Sequence, residues 1–239
     1  MAAFPASGED TGGTAPFFST IPASERAELR ALGDVREYAA RDTVLRVGEP
    51  GASAAVLLSG HVKIVGVSAA GVEAVLGFLG PCDIVGEFAV LDGRPRSASV
   101  VALTRLTALV VPAPALRAHL DRRPRTAALL HRTVLARMRQ ANHDRVEHTG
   151  AARVDQRLAR LLLDLAHRFG RRERHGVVIE VPLSQEDMAS CVAASREQVV
   201  RALRALRSEG AVTVRRREVT LVRQEPLLRR LAPGNPATG

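Results

Sequence analysis

Between residues 35 and 112 the apolar positions fall in short β-branched runs, at 43–47, 53–58, 61–67, 72–79, 97–103 and 106–111. Turn-forming groups separate them: Gly48-Glu49-Pro50-Gly51, Ser59-Gly60, Ala69-Ala70-Gly71 and Gly80-Pro81. Many short strands at this spacing predict a sandwich, jelly roll or small barrel. Ahead of them, residues 1–16 lack periodicity and read as a tail, and 24–29 predict a short helix capped by Ser24. Pro112 ends the strands, and 114–120 predict another short helix. Pro124 then suits the first turn of a long helix reaching about His148. Its apolar and small residues (Ala127, Ala128, Leu129, Leu130, Val134, Leu135, Met138, Ala141, Val146) make a stripe wider than a two-residue seam. That helix either packs on its own domain or pairs with a second copy. Its length favours the second, because it outreaches a β domain of this size.

Gly150 marks a break. Val154–Phe169 is predicted as a helix with Leu158, Leu161, Leu162 and Leu165 on one face. Residues 171–176 read as a loop and 177–181 as a strand. Residues 184–192 predict a helix capped by Ser184, with acidic residues in its first turn. Ala193-Ala194 make a tight turn, and 195–206 predict a second helix capped by Ser195. Strands at 211–215 and 218–222 meet at Arg216-Arg217, and 233–239 form a tail. The division is therefore 1–16, 17–113, 114–149, 150–232 and 233–239.

The 239 residues accommodate two domains of ordinary size. Apolar residues make up 46% and aromatics 3%, with no Trp, so the core must be built from Val, Leu and Ala. No run of about eighteen apolar residues predicts a transmembrane helix. The first residues lack the basic start and apolar stretch of a secretory signal. A cytoplasmic protein without a membrane partner is expected. Cys82 and Cys191 are too few for a disulfide framework and read as reduced structural thiols. His61, His119, His131, His148, His167 and His175 show no metal-ligand spacing, so neither a metal nor haem is expected. No nucleophile elbow, P-loop or pair of catalytic carboxylates is present, which argues against an enzyme.

Charge changes the picture. The net charge is +9, unevenly spread. Residues 1–149 carry 17 basic against 15 acidic side chains (+2), and 150–239 carry 17 against 10 (+7). All 17 of the latter are Arg, and Lys63 is the only lysine in the chain. A basic terminal domain points to nucleic acid first and an anionic membrane surface second.

Two constellations carry chemistry. Helix, short turn, helix and hairpin over 184–222 form a winged helix-turn-helix pattern. Ala189, Ala193 and Ala194 supply small residues where the helices cross. Arg196, Glu197, Gln198 and Arg201 present long polar side chains; Arg196, Glu197, Val200 and Arg201 share a face, opposite Val199, Ala202, Leu203 and Leu206. Arg forks onto guanine and Glu accepts from cytosine N4. The capped helix starts at Ser184-Gln185 and Ser195, with Arg216 and Arg217, can hold phosphates. The alternative is a solvated charged face on an ordinary helical hairpin.

The second is Gly86-Glu87-Phe88-Ala89-Val90-Leu91-Asp92-Gly93-Arg94-Pro95-Arg96-Ser97-Ala98. Gly86 permits close backbone approach, and Glu87 accepts from neighbouring ribose hydroxyls. One helical turn over 88–93 can cradle an anion, Arg96 offers a fork for phosphate oxygens, and Ser97 adds a donor. Together they suit a cyclic phosphodiester on a ribose. A structural Glu87–Arg96 ion pair is the open alternative.

Ser195-Arg196-Glu197-x-Val199-x-Arg201 and the 86–98 segment resemble, respectively, the recognition helix and the phosphate-binding cassette of the cyclic-AMP receptor protein family (CRP/FNR type). Gly48, Gly51, Gly60, Gly71 and Gly80 fall at that family's strand turns, and the resemblance spans about residues 17–223. It implies an α+β chain: an N-terminal cyclic-nucleotide-binding β-roll (jelly roll), a long dimerisation helix and a C-terminal winged helix-turn-helix. It implies a homodimeric transcription regulator with cyclic AMP or cyclic GMP as effector. Arg196, Glu197 and Arg201 would read a palindromic double-stranded operator with TGTGA-like half-sites, and RNA polymerase would be a partner. The hydroxyl pair that reads adenine in cyclic-AMP-responsive members corresponds here to Asn142 and His143. Phe88 replaces the usual Leu. Rival functions are an effector-independent DNA-binding protein with a vestigial pocket, a cyclic-nucleotide-binding regulatory subunit of an enzyme, and a redox or haem sensor.

Overall fold

The structure is a computed structural model that describes residues 15–68, 70–146 and 152–232. Residues 1–14 of the tail expected at 1–16, the tail expected at 233–239 and the break at Gly150 lie outside the described residues.

Eight strands build the N-terminal half: β1 (Asp34–Tyr38), β2 (Thr43–Leu45), β3 (Ser53–Ser59), β4 (Val62–Val67), β5 (Glu73–Leu79), β6 (Ile84–Val85), β7 (Ser99–Ala102) and β8 (Leu106–Pro112). They form two antiparallel sheets, ordered β1-β8-β3-β6 and β2-β7-β4-β5. Leu45, Ala55, Leu57, Val62, Val100, Leu106 and Ala108 fill the space between them. The expected jelly roll is thus present, filled by aliphatic side chains. β1 gives no alternating apolar signal, because most of its residues are exposed; its edge position needs only the ladder to β8.

Helices cover the outer face of the β1–β8–β3–β6 sheet. They are α1 (Phe17–Thr20), α2 (Ala23–Ala31), α4 (Ala113–Arg122) and α5 (Pro124–Val146), with Phe17, Phe18, Leu29, Leu116 and Leu130 packed on Ile84, Leu109 and Val111. Ser24 does not cap α2. The helix begins at Ala23 behind an extended Pro22, which places Ser24 inside the first turn. α3 (Glu87–Asp92) is the single short helix of the 86–98 segment, between Gly86 and Gly93, both left-handed. α5 runs 23 residues. Thr126, Leu130 and Thr133 bury one side of it, while Leu135, Met138 and Val146 stay more than half exposed on another.

The C-terminal half follows with α6 (Val154–Phe169), β9 (Gly170–Glu173), β10 (Gly176–Ile179), α7 (Gln185–Cys191), α8 (Arg196–Ser208), β11 (Val212–Arg215), β12 (Glu218–Leu221) and α9 (Glu225–Leu231). The sheet order is β11-β12-β10-β9. Of the stretch expected as a loop at 171–176, only 174–175 turn; 171–173 belong to β9, a fully exposed, mostly charged strand held by its pairing to β10. α6 buries Leu158, Leu162 and Leu165 against Met188, Leu203 and Leu227, and the same cluster includes Val75 and Phe78 of β5, so the two halves share one core.

Candidate functional site

The 86–98 segment opens onto a cavity of about 350 Å³. Gly86 starts α3 with φ +76°, and a Cβ there would lie 2.5 Å from Arg96 Nη1 and 2.7 Å from Leu45 Cδ1. Only glycine meets both demands. Gly86→Ala is therefore expected to cost about 1–2 kcal/mol of stability from the left-handed alanine alone, with the Arg96 guanidinium displaced as well; urea unfolding checks this.

Arg96 is buried, and Nη2 donates to the Ser53 carbonyl (2.8 Å) and approaches the Ser53 hydroxyl (3.3 Å). Nη1 is buried with no hydrogen-bond partner. Burial lowers the guanidinium's pKa, partly opposed by Glu49, yet an arginine stays cationic at neutral pH. An unpartnered cationic N–H inside a protein is costly unless an anion completes it.

The Glu87–Arg96 ion pair that the residues alone leave open is not formed. Glu87, itself buried, pairs with Arg137 Nη1 of α5 at 2.5 Å. The same Nη1 donates to the Ile84 carbonyl (2.7 Å), and Nη2 lies 3.3 Å from Asp83. Arg137 is the residue that sequence reasoning missed. Its signal was a cation between Thr133 and Ala141, on the helix face that proves to line the cavity. Gly86, Glu87, Phe88, Arg96 and Ser97 all line the cavity. Asn142 and His143 do not line it within this chain. Thr133, Ala136, Arg137, Met138, Gln140, Ala141 and Asp144 of α5 do. Asn142 is exposed, and His143 Nε2 sits 2.7 Å from Arg160 of α6. The cavity also reaches Asp164 and Arg168 of α6, across the chain's two halves.

The second site is built on α7 and α8. Ser184 Oγ accepts from the Asp187 backbone N–H (3.0 Å) and donates to its carboxylate (2.5 Å). Ser195 and Gln198 form a reciprocal cap: Gln198 N–H donates to Ser195 Oγ (3.3 Å), and Ser195 N–H donates to Gln198 Oε1 (2.9 Å). The Ser184 and Ser195 hydroxyls and the Gln198 carbonyl hold helix starts, while Arg196, Glu197 and Arg201 are exposed. Ser195→Ala is expected to cost about 1 kcal/mol of stability, the usual worth of such a cap, measured by urea unfolding.

Val199, Leu203 and Leu206 bury the opposite face of α8. Arg157 of α6 clamps the turn between the helices, donating to the carbonyls of Val192 (2.8 Å) and Ala193 (3.3 Å). Gln185 Oε1 lies 3.4 Å from Arg196 Nε. The Glu197 carboxyl is held below its ordinary pKa by its own backbone N–H and by the Ser195 hydroxyl, with Arg196 and Arg201 nearby. It remains an ionised acceptor. Arg216 (φ +55°) and Arg217 form the exposed turn between β11 and β12, and the Arg217 carbonyl accepts from Leu183 N–H (2.8 Å), which ties the wing to the start of α7.

Comparison with known proteins agrees with both sites. Residues 35–123 match the cyclic nucleotide-binding domain family, and 156–231 match the Crp-like helix-turn-helix domain. Together they define a transcription regulator that joins a cyclic nucleotide-binding domain to a DNA-binding helix-turn-helix, a class that is not enzymatic. The CRP-like cAMP-activated global transcriptional regulator of Mycobacterium tuberculosis is 32% identical over 216 residues, 90% of this chain and 96% of that one. The cyclic AMP receptor protein of Thermus thermophilus is 29% identical over 194 residues, 79% of this chain and 86% of that one. The chain belongs to the CRP/FNR family of transcription regulators. Among solved structures, the c-di-GMP responsive global regulator CLP of Xanthomonas campestris has the same fold. Its TM-score is 0.71 at 23% identity, over 84% of this chain and 99% of that one.

Proposed function

We propose that the chain acts as a cytoplasmic homodimer whose affinity for a palindromic operator is set by a cyclic nucleotide, cyclic AMP before cyclic GMP. The observation that carries this reading is Arg96 Nη1, buried and unpartnered in a cavity that also holds the Glu87 carboxylate and Ser97. A cyclic phosphate supplies the missing acceptor. Its ribose 2′-hydroxyl supplies a donor to Glu87 without displacing Arg137, since a carboxylate accepts several hydrogen bonds. The relatives from Mycobacterium tuberculosis and Thermus thermophilus named above, one cAMP-activated and the other a cyclic AMP receptor protein, support cyclic AMP as the first candidate.

Leu135, Asn142 and Val146 share the outer side of α5, none of them lining the cavity, and Met138, which does line it, lies beside them and is half exposed. Pairing two copies along that side covers the exposed apolar residues and turns Asn142, with His143 at its flank, toward the partner's cavity. Asn can bond an adenine edge from there. The functional division is 17–113 for the effector, 114–149 for dimerisation and 150–232 for DNA. Arg196, Glu197 and Arg201 read base edges in TGTGA-like half-sites, Arg216 and Arg217 hold phosphates, and RNA polymerase is the partner at the promoter.

Thermal unfolding of the full chain against cyclic AMP, cyclic GMP and non-cyclic AMP tests the effector. A ligand that binds only the folded state raises the midpoint, by mass action. A rise with cyclic AMP and none with AMP is expected. No rise with either cyclic nucleotide overturns the reading.

A further inference from the structure

Lys63 is the only lysine among 34 basic side chains, and it lies in the N-terminal half. It projects from β4, and its Nζ lies 2.6 Å from Asp187 Oδ1 on α7, the first helix of the helix-turn-helix. The pair is well covered: the Lys63 side chain is 26% exposed and that of Asp187 11%. The other Asp187 oxygen is taken by the Ser184 hydroxyl. Oδ1, the oxygen outside the helix cap, is the one that meets the Lys63 ammonium. A compact ammonium suits a single acceptor, whereas the planar arginine fork needs two.

Further contacts cross the same junction. β5 is the edge of its sheet, and the Val75 backbone N–H on that edge donates to Ser190 Oγ of α7 at 2.7 Å. An exposed sheet edge is thus covered by the DNA-binding half itself. Arg168 of α6 donates to the Phe78 carbonyl (3.1 Å), approaches Asp83 (3.9 Å) and stacks over Phe169. Asp83 is also the partner of Arg137, which holds Glu87. The junction and the effector cavity therefore share a side chain.

We propose that Lys63 is a positioning residue. With Asp187 and the Ser190–Val75 contact it latches the DNA-binding half onto the β-roll and fixes its orientation. Arg196, Glu197 and Arg201 remain exposed in the latched arrangement, so the latch sets direction rather than hiding the recognition helix. The latch itself is independent of any effector. Its response to cyclic AMP rests on the function proposed above.

The lone lysine makes the latch measurable. Full-length protein is treated with N-hydroxysuccinimide acetate, and peptide mapping by mass spectrometry follows acetylation of Lys63 apart from that of the chain's N-terminal amine. Asp187→Asn is expected to raise the Lys63 rate about tenfold or more. Ser190→Ala, which touches neither partner of the ion pair, is expected to raise it several-fold, with unchanged far-ultraviolet circular dichroism in both variants. Equal rates in the wild type and Asp187→Asn overturn the latch. A fast Asp187→Asn with an unchanged Ser190→Ala also overturns the proposal, because the ion pair would then be a local contact that positions nothing. With both variants fast, saturating cyclic AMP is expected to change the wild-type rate. No change there leaves the latch standing and counts against cyclic AMP as effector.

Discussion

Arg96→Ala is expected to remove cyclic-AMP binding while leaving the fold standing. The guanidinium is the buried cation of the cavity with an unmatched N–H, and hydrogen bonds to charged groups contribute about 1.5–3 kcal/mol each. Losing a two-pronged grip on a phosphate therefore lowers affinity by about two to four orders of magnitude, at 1.4 kcal/mol per factor of ten. Stability changes little by comparison. Deletion frees the Ser53 carbonyl of one donor but also removes a buried unsatisfied cation. Glu87 is unaffected, because its partner is Arg137. Calorimetry checks the affinity and thermal unfolding the fold. An unchanged titration would place the effector elsewhere.

Arg196→Ala is expected to cost about 1–3 kcal/mol on the cognate duplex and to relax base preference at one position of each half-site. The side chain projects from the first residue of α8 and is exposed, with the Gln185 amide oxygen 3.4 Å away to steady it. The apolar side of α8 is untouched, so folding is preserved. Substituting Arg216 or Arg217 in the wing, by contrast, weakens cognate and random DNA alike, because phosphate contacts carry no sequence. Binding to cognate and random duplexes separates the two roles. If Arg196→Ala weakens both equally, Arg196 is a phosphate contact and the base-reading assignment is wrong.

What was legible in the chain follows the range of the interaction. Ser184 and Ser195 act within three residues of themselves, and both were readable as caps because their bonds to Asp187 and Gln198 are local. The cassette was readable for the same reason: Gly86, Glu87, Arg96 and Ser97 lie within one short segment, and all of them line the cavity. Pro22 shows the limit of such local reading, since its extended backbone moved the start of α2 and displaced Ser24 from the cap.

Long-range pairings left no comparable trace. Glu87 finds Arg137 across 50 residues and Lys63 finds Asp187 across 124. No spacing rule links such partners. β9 is mostly charged and exposed, so only its ladder to β10 makes it a strand. α9 is seven residues long, below what propensity alone sustains. It is held instead by Leu227 in the core and by Arg230 against Glu209. Asn142 and His143 were placed through the resemblance alone, by counting back from the 154–157 segment, and neither lines the cavity of its own chain.

The central claim is that filling the cavity around Arg96 changes how the paired recognition helices hold DNA. The direct measurement is the affinity of the full-length protein for a duplex selected from random sequences, with and without saturating cyclic AMP at one fixed salt concentration. The account predicts that cyclic AMP changes the affinity of the wild type by about 5–150-fold, the usual range of coupling between linked sites, and leaves that of Arg96→Ala unchanged. Equal wild-type affinity with and without cyclic AMP, in a protein that binds the nucleotide, would contradict it.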